Sequence, residues 1–355
     1  MAPEQARTAY HLTKKKQLSI FSGSLIISGM LSAIYGKIVD FRNALFDRGV
    51  FRSYNLGART ISVGNITTGG TGKTPLTAHI ASILADRGEK VCILTRGYGR
   101  KHPARRVLVS NFDSVLADAA TGGDEPVELA TKLLGKAVVI ADANRITAGL
   151  WAKEEFGITA FILDDGFQHR KIKRDIDIVC IDANDPFSNR KMLPAGRLRE
   201  PVEGLERADI AVIVRSEGAS ALTPLYKDLQ NTAPKLAIFE AHKTVTRITP
   251  VEDGPDPDDH RFVAFCGLGN PESFRVLLAQ QGVTIAGFYD FADHHRYSHA
   301  DIEALNNAAF EKNATAFLTT GKDAVKLDGL RFSLPVFVVE INLSLDDPKG
   351  FAALL

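Results

Sequence analysis

The stretch Ile61–Pro75, I-S-V-G-N-I-T-T-G-G-T-G-K-T-P, constrains this chain more than any other. Ile61 and Val63 alternate as in a strand, Gly69, Gly70 and Gly72 crowd a turn, and Lys73 and Thr74 lead into a helix-compatible run. Glycines let successive backbone N–H groups converge on one point, and a helix beginning there aims its positive dipole end at the same point. That is a cradle for phosphate, with Lys73 reaching the outer phosphates and the Thr74 hydroxyl offered to a magnesium ion. Pro75 is tolerated just inside the helix, where its missing N–H would be unpaired anyway. The general phosphate-loop pattern asks for glycine at position 67, where this chain has Thr67; the core that follows is denser in glycine than the pattern requires. The predicted nucleotide-binding segment is Thr67, Thr68, Gly69, Gly70, Thr71, Gly72, Lys73 and Thr74.

A chain of 355 residues fits two domains with an appendage. With 45% hydrophobic and 24% charged residues it has ample core material, and a net charge of +1 gives no global pull towards nucleic acid, so no nucleic-acid partner is expected. Cys92, Cys180 and Cys266 stand singly among apolar residues, the pattern of buried free thiols in a reducing compartment. No signal peptide is expected.

Near the N-terminus, Lys14, Lys15 and Lys16 precede an uncharged run from Leu18 to Gly36, and Lys37, Arg42, Arg48 and Arg52 follow it. The run has the length of a membrane span, but Ser19, Ser22, Ser24, Ser28 and Ser32 give it a polar stripe. An interfacial helix among lipid headgroups, with the basic residues meeting anionic lipid, fits this better than a full span. An amphipathic helix packed on the protein itself is the plainer alternative.

From Arg59 onward apolar strands alternate with helices, which implies a phosphate-loop-type α/β fold: a mainly parallel sheet covered by helices on both faces. The acidic, proline-bearing stretch Val251–Asp259 reads as a linker, after which a second strand and helix series resumes. The expected organisation is a basic and apolar membrane-associating segment over 1–57, a phosphate-loop nucleotide-binding core over 58–250, and a smaller α/β lobe over 251–355.

Three further segments carry chemistry. The apolar strand at 158–163 ends in Asp164 and Asp165, placing carboxylates at the carboxyl end of the sheet, where a phosphate-loop protein holds its magnesium. T-G-G-D-E-P sets Asp124 and Glu125 at the start of a predicted helix, where acids also serve as caps. D-F-A-D-H-H-R-Y-S-H, residues 290–299, holds three histidines close enough to suggest metal ligands or a polar turn, and a histidine there can also orient a carboxylate.

Together, G-N-I-T-T-G-G-T-G-K-T-P, T-R-G-Y-G-R, G-G-D-E-P, D-D-G-F-Q-H-R, L-P-A-G-R-L-R-E-P, D-H-H-x-Y and T-T-G-K-D-A-V-K-L resemble the tetraacyldisaccharide 4′-kinase family, in the family's order over about residues 60–327. The basic, apolar N-terminus resembles that family's membrane-associating helix. The resemblance implies ATP- and Mg2+-dependent phosphorylation of the 4′-hydroxyl of a lipid A disaccharide 1-phosphate precursor, at the cytoplasmic face of the bacterial inner membrane. By motif position, Asp124 would be the base and His294 its partner. Lys73 and Thr74 would hold phosphate and magnesium, and Asp164 and Asp165 the metal. Glu125, Gln168 and Glu200 would be supporting groups, with Arg96 near the transferred phosphate or substrate. If Asp124 and His294 sit on different lobes, closure would assemble the site. Two positions depart from the family pattern. Gly321 stands where an acid is expected, weakening any role for that loop, and Arg197 stands where proline is commoner, with little consequence expected.

The runner-up is a membrane-recruited phosphate-loop switch or partitioning ATPase, which shares the loop and the parallel sheet. A dinucleotide-binding oxidoreductase, suggested by Gly267-Leu268-Gly269, lacks the third glycine.

Overall fold

Strands such as V-C-I-L-T, A-V-V-I-A and A-F-I-L-D have no polar face, so folding must cover both their sides. The computed structural model, which describes residues 28–215, 222–251 and 260–355, shows how this is done. Helix α1 covers residues 28–47. Then follow β1 (Arg59–Gly64), α2 (Lys73–Asp86), β2 (Val91–Thr95), β3 (Val107–Ser110), α3 (Ala119–Gly122), α4 (Asp124–Lys132), β4 (Ala137–Ala141), α5 (Arg145–Phe156) and β5 (Ala160–Asp164). The chain continues through β6 (Ile176–Asp182), β7 (Ile210–Arg215), α6 (Thr223–Thr232) and β8 (Ala237–Pro250). After residue 260 come β9 (Phe262–Cys266), α7 (Pro271–Gln280), β10 (Ile285–Asp290), α8 (His299–Glu311), β11 (Ala316–Thr320), α9 (Gly321–Ala324), β12 (Val336–Leu345) and α10 (Pro348–Leu354).

The strands form one sheet of twelve, in the order β10-β9-β11-β12-β8-β7-β6-β1-β5-β2-β4-β3. Pairing is parallel except for β3 with β4 and β12 with β8, so the expectation of a mainly parallel sheet covered by helices holds. Strand alternation divides the core. Ile61, Val63 and Ile162 face α2, packing with Leu76, Ile80 and Leu84, while Phe161 and Leu163 turn the other way to Leu56, Ala148 and Ala152. All three cysteines are buried free thiols.

Strands expected of a second lobe continue this sheet. β12 pairs antiparallel with β8 while β8 pairs parallel with β7, and separate apolar cores, around Phe274 and Phe337 on one side and Phe317 and Tyr297 on the other, flank β9 and β11. Most of the linker expected over 251–259 lies outside the described residues. β8 continues to Pro250 because Thr244, Val245, Thr246, Ile248 and Thr249 favour extended backbone and the strand is partnered along its far half by β12.

By compactness the described chain forms two units. One comprises 28–52, 66–68 and 185–205; the other carries the sheet. In the first, α1 presents Ser32, Val39 and Asn43 inward, where Ser32 Oγ donates to Met192 O and Tyr35 Oη to Arg199 O. Its outer side exposes Met30, Leu31, Ile34, Ile38 and Phe41. Among the described residues no helix is long and apolar enough to cross a membrane. Lys14–Lys16 and the uncharged run up to residue 27 lie outside the described residues.

Candidate active site

β1 sits between β5 and β6, and Val63 pairs with Asp164, so the loop leaving β1 and the acids ending β5 emerge side by side at the carboxyl edge of the sheet. The phosphate loop turns through Gly69 at φ 118° and Gly72 at φ 88°, both in the left-handed region that suits glycine. Gly72 precedes α2, whose first turn has no side-chain cap, and a Cβ there would also meet the Val214 side chain at 3.1 Å. The Asn65 side-chain amide donates to Thr71 Oγ1 at 3.0 Å, bracing the loop from within. The uncapped 14-residue helix and the left-handed glycines are the geometry of an anion cradle.

Thr67 and Thr68 belong to the other unit. There Thr68 N–H donates to Arg197 O at 2.8 Å, and the Arg197 guanidinium donates to Thr68 O at 2.6 and 3.0 Å while pairing with Asp185. Arg197 therefore does more than its position suggested: it braces Thr68, immediately before Gly69. Glu200 is fully buried in the same unit, where it accepts from Asn43 Nδ2 at 3.4 Å.

Asp164 is 3% exposed and accepts from Thr77 Oγ1 at 3.3 Å and Thr95 Oγ1 at 3.1 Å. Burial, reinforced by the charges of Glu125 and Asp165 against those of Arg145 and Lys73, pushes its pKa up to about 6. Asp165 turns to φ 49° and meets Lys73 Nζ at 3.6 Å. Gly166 N–H donates to Val63 O, Gln168 Nε2 donates to Asn65 O at 2.8 Å, and a Cβ on Gly64 would strike Phe167 at 2.6 Å. This close approach docks the D-D-G-F-Q turn on the end of β1. Arg96 is exposed at the end of β2, its charge felt by buried Arg145.

On α4, Asp124 Oδ2 lies 2.8 Å from His294 Nδ1. His294 occupies the loop after β10 at φ 59°, a strained backbone for a non-glycine residue and one that recurs at functional sites. Burial raises the Asp124 carboxyl, but the His294 hydrogen bond and the charges of His294, Lys322 and Lys326 outweigh it and leave its pKa below the ordinary value. His294 moves the other way: its bond to Asp124 raises it against the effect of burial. At neutral pH the pair holds an ionised carboxylate with a partner able to share a proton. Both residues belong to the same compact unit and are already bonded, so closure is not required to bring them together.

The histidine cluster reads as a polar turn rather than a metal site. His295 Nε2 meets Asp301 at 3.1 Å within the capping box of α8, and among the described residues no group of three or more His, Cys, Asp or Glu could by itself hold a metal. For magnesium the Asp164–Asp165 pair is a suitable donor set, since that ion takes one or two carboxylates and completes its shell with water and phosphate oxygens. The buried Asp164 charge is also one that a cation would relieve.

Sequence reading missed two cations here. Arg145, 4% exposed at the start of α5, lies within reach of the Asp164 and Asp165 charges and faces Asp165 O at 3.4 Å. Lys322, in the loop that Gly321 had seemed to disqualify, has its Nζ 3.7 Å from Glu125 and 3.5 Å from His294 Nε2. The only signal for either was a basic residue beside an element boundary.

Residues 26–355 match the family model described as tetraacyldisaccharide-1-P 4'-kinase, LpxK. The chain belongs to this family. It is 38% identical over 328 residues to the tetraacyldisaccharide 4'-kinase of Geobacter metallireducens, covering 92% of this chain and 95% of that one. With the enzyme of the same name from Syntrophus aciditrophicus it shares 37% over 343 residues, 92% of this chain and 91% of that one. Among solved structures, LpxK from Aquifex aeolicus in complex with ATP matches with a TM-score of 0.73 and 31% identity, over 94% of this chain and 97% of that one. A member of the LpxK family is a kinase, and the site's components suit that chemistry.

Proposed function

We propose that this LpxK-family kinase transfers the γ-phosphoryl group of ATP to the 4′-hydroxyl of a tetraacyldisaccharide 1-phosphate, with Asp124 as the base and His294 as its partner. The observation that carries this reading is the 2.8 Å bond between Asp124 Oδ2 and His294 Nδ1, made by a carboxylate held ionised. The hydroxyl oxygen bonds to phosphorus as the bond from phosphorus to the β-phosphate bridging oxygen breaks, ADP leaves, and the hydroxyl proton passes to the Asp124–His294 pair. Such transfer demands positioning and charge neutralisation more than covalent chemistry. Thr67–Thr74 would cradle the phosphates, with Lys73 on the outer ones, and Arg96 would meet the transferred phosphate or the substrate. Glu125, Gln168 and Glu200 would support the site. Thr74, Asp164 and Asp165 would hold Mg2+, which when bound offsets phosphate charge.

The acyl chains require the reaction to take place at a membrane surface, and α1 supports that placement: its exposed side carries Met30, Leu31, Ile34, Ile38 and Phe41. A helix lying in the headgroup region of the inner membrane's cytoplasmic leaflet suits both ATP and the lipid. The test is incubation of the protein with detergent-dispersed disaccharide 1-phosphate, magnesium and γ-labelled ATP, followed by mapping of the new phosphate. Label on the 4′-oxygen of the lipid is expected; ATP hydrolysis without labelled lipid would refute the reading and return the switch ATPase.

A further inference from the structure

The cation at the Asp124–His294 pair is built in with care. Lys322 is the second residue of α9, and its turn is pinned by Asp323, wholly buried, which accepts from Gly267 N–H at 2.9 Å and from Thr320 Oγ1 at 2.7 Å and pairs with Lys326 at 2.7 Å. The Lys322 side chain is only 12% exposed, and its Nζ reaches Asp293 Oδ1 at 2.8 Å, Glu125 Oε1 at 3.7 Å and His294 Nε2 at 3.5 Å. Gly321 makes room for this arrangement. A Cβ there would lie 3.0 Å from Glu128 Oε1, so its absence lets an acid on α4 approach the turn that carries the lysine.

An ammonium group only donates, so an imidazole nitrogen facing it is best satisfied as the lone-pair acceptor. That puts the ring proton on Nδ1, where it is donated to Asp124 Oδ2. Protonating Nε2 as well would set N–H against an ammonium group. We propose that Lys322 is a positioning residue for the kinase reaction, holding His294 as the neutral Nδ1–H tautomer and limiting the proton affinity of the Asp124–His294 pair. The proposal rests on Asp124 and His294 as the base and its partner.

All the charged groups around the ring bear on this balance. Asp124 on α4 and Asp293 beside it, whose Oδ2 is 3.9 Å from Nε2, favour the imidazolium; Lys322 on α9 opposes it. Glu125 and Glu128 on α4 act through Lys322, Lys326 adds positive charge near Asp124, and the Tyr98 ring lies 6.3 Å from the imidazole between centroids. Without Lys322, Asp293 and Glu125 lose their cation and the ring loses the charge opposing its protonation.

The experiment is imidazole 1H–15N correlation spectroscopy of the full chain across pH, with the His294 signals assigned by their loss in His294→Gln. The wild type is expected to show the Nδ1–H tautomer, and a dominant Nε2–H form would overturn the proposal before any lysine variant is made. In Lys322→Met, and in Lys322→Gln should the first fold poorly, the titration midpoint is expected to rise by about one pH unit, whereas Lys322→Arg keeps it near the wild-type value. An unchanged or lowered midpoint in both neutral variants would refute the role. In the kinase assay the acid limb of kcat/KM should move up with the midpoint. If the midpoint moves while the wild type labels no lipid, the kinase reading fails and the effect of Lys322 on the pair stands. If lipid is labelled and neither midpoint nor acid limb moves, the kinase reading stands and Lys322 is only structural.

Discussion

Glu128 shows at the scale of a single residue what the site costs the fold. Its carboxyl group sits against Gly321, and burial, with the charges of Glu125 and Asp124 opposed by Lys132 and Lys322, pushes its pKa up to about 7 from 4.5. A carboxyl raised on folding binds its proton more tightly in the native state, so its contribution to stability is largest below the unfolded value and is lost as pH rises through the folded one. Between pH 4.5 and 7 wild-type stability therefore falls on this residue's account. Glu128→Gln removes that dependence. Its stability gain over wild type in urea melts should be near zero at pH 4.5 and reach about 2 kcal/mol at pH 8, a figure reduced for partial exposure; a gain that shrinks with rising pH would contradict the assignment. Residues of this kind are hard to read in a sequence. Asp164 and Asp165 were legible because carboxylates end an apolar strand, and Asp124 because it opens a helix after two glycines. Arg145, Lys322 and Glu128 look like ordinary surface charges until the fold buries them.

Among the elements, α1 reverses the usual soluble arrangement: Ser32 and Asn43 face the protein while Ile34, Ile38 and Phe41 face outward. Burying one such side chain in an apolar medium is worth about 1.5–3 kcal/mol. Ile38→Asp and Phe41→Asp should each weaken binding to vesicles containing anionic lipid by about tenfold or more in co-sedimentation, with ATP binding retained. Equal binding by wild type and both variants would exclude this face from the membrane. From residue 28 on, the run around α1 was legible as a helix, whose contact with lipid the vesicle experiment tests, and the apolar strand expected over 158–163 was legible to within two residues as β5. The far half of β8 was not, because A-H-K-T-V-T-R-I-T-P has no continuous apolar run and is held as a strand by its partner β12. Short helices such as α10 carry too few turns for a periodic pattern to stand out.

Across the whole molecule, long-range pairing brings the chemistry together. Asp124 on α4 and His294 in the loop after β10 are 170 positions apart and meet where α4 lies against α9, with Glu128 beside Gly321 and Glu125 beside Lys322. Local pattern announces strands and helices, but it does not state which strand pairs with which, so the second series read as a lobe apart although its strands extend the first sheet. The pair is bonded without closure, and the phosphate loop after β1 and the acids of β5 stand on the sheet's carboxyl edge. The most direct measurement of the account is single-turnover transfer from γ-labelled ATP to the disaccharide 1-phosphate, comparing wild type with Asp124→Asn at matched nucleotide occupancy. Unchanged ATP binding and a transfer rate lower by about 10²–10⁴-fold are expected. Transfer at the wild-type rate would remove Asp124 as the base.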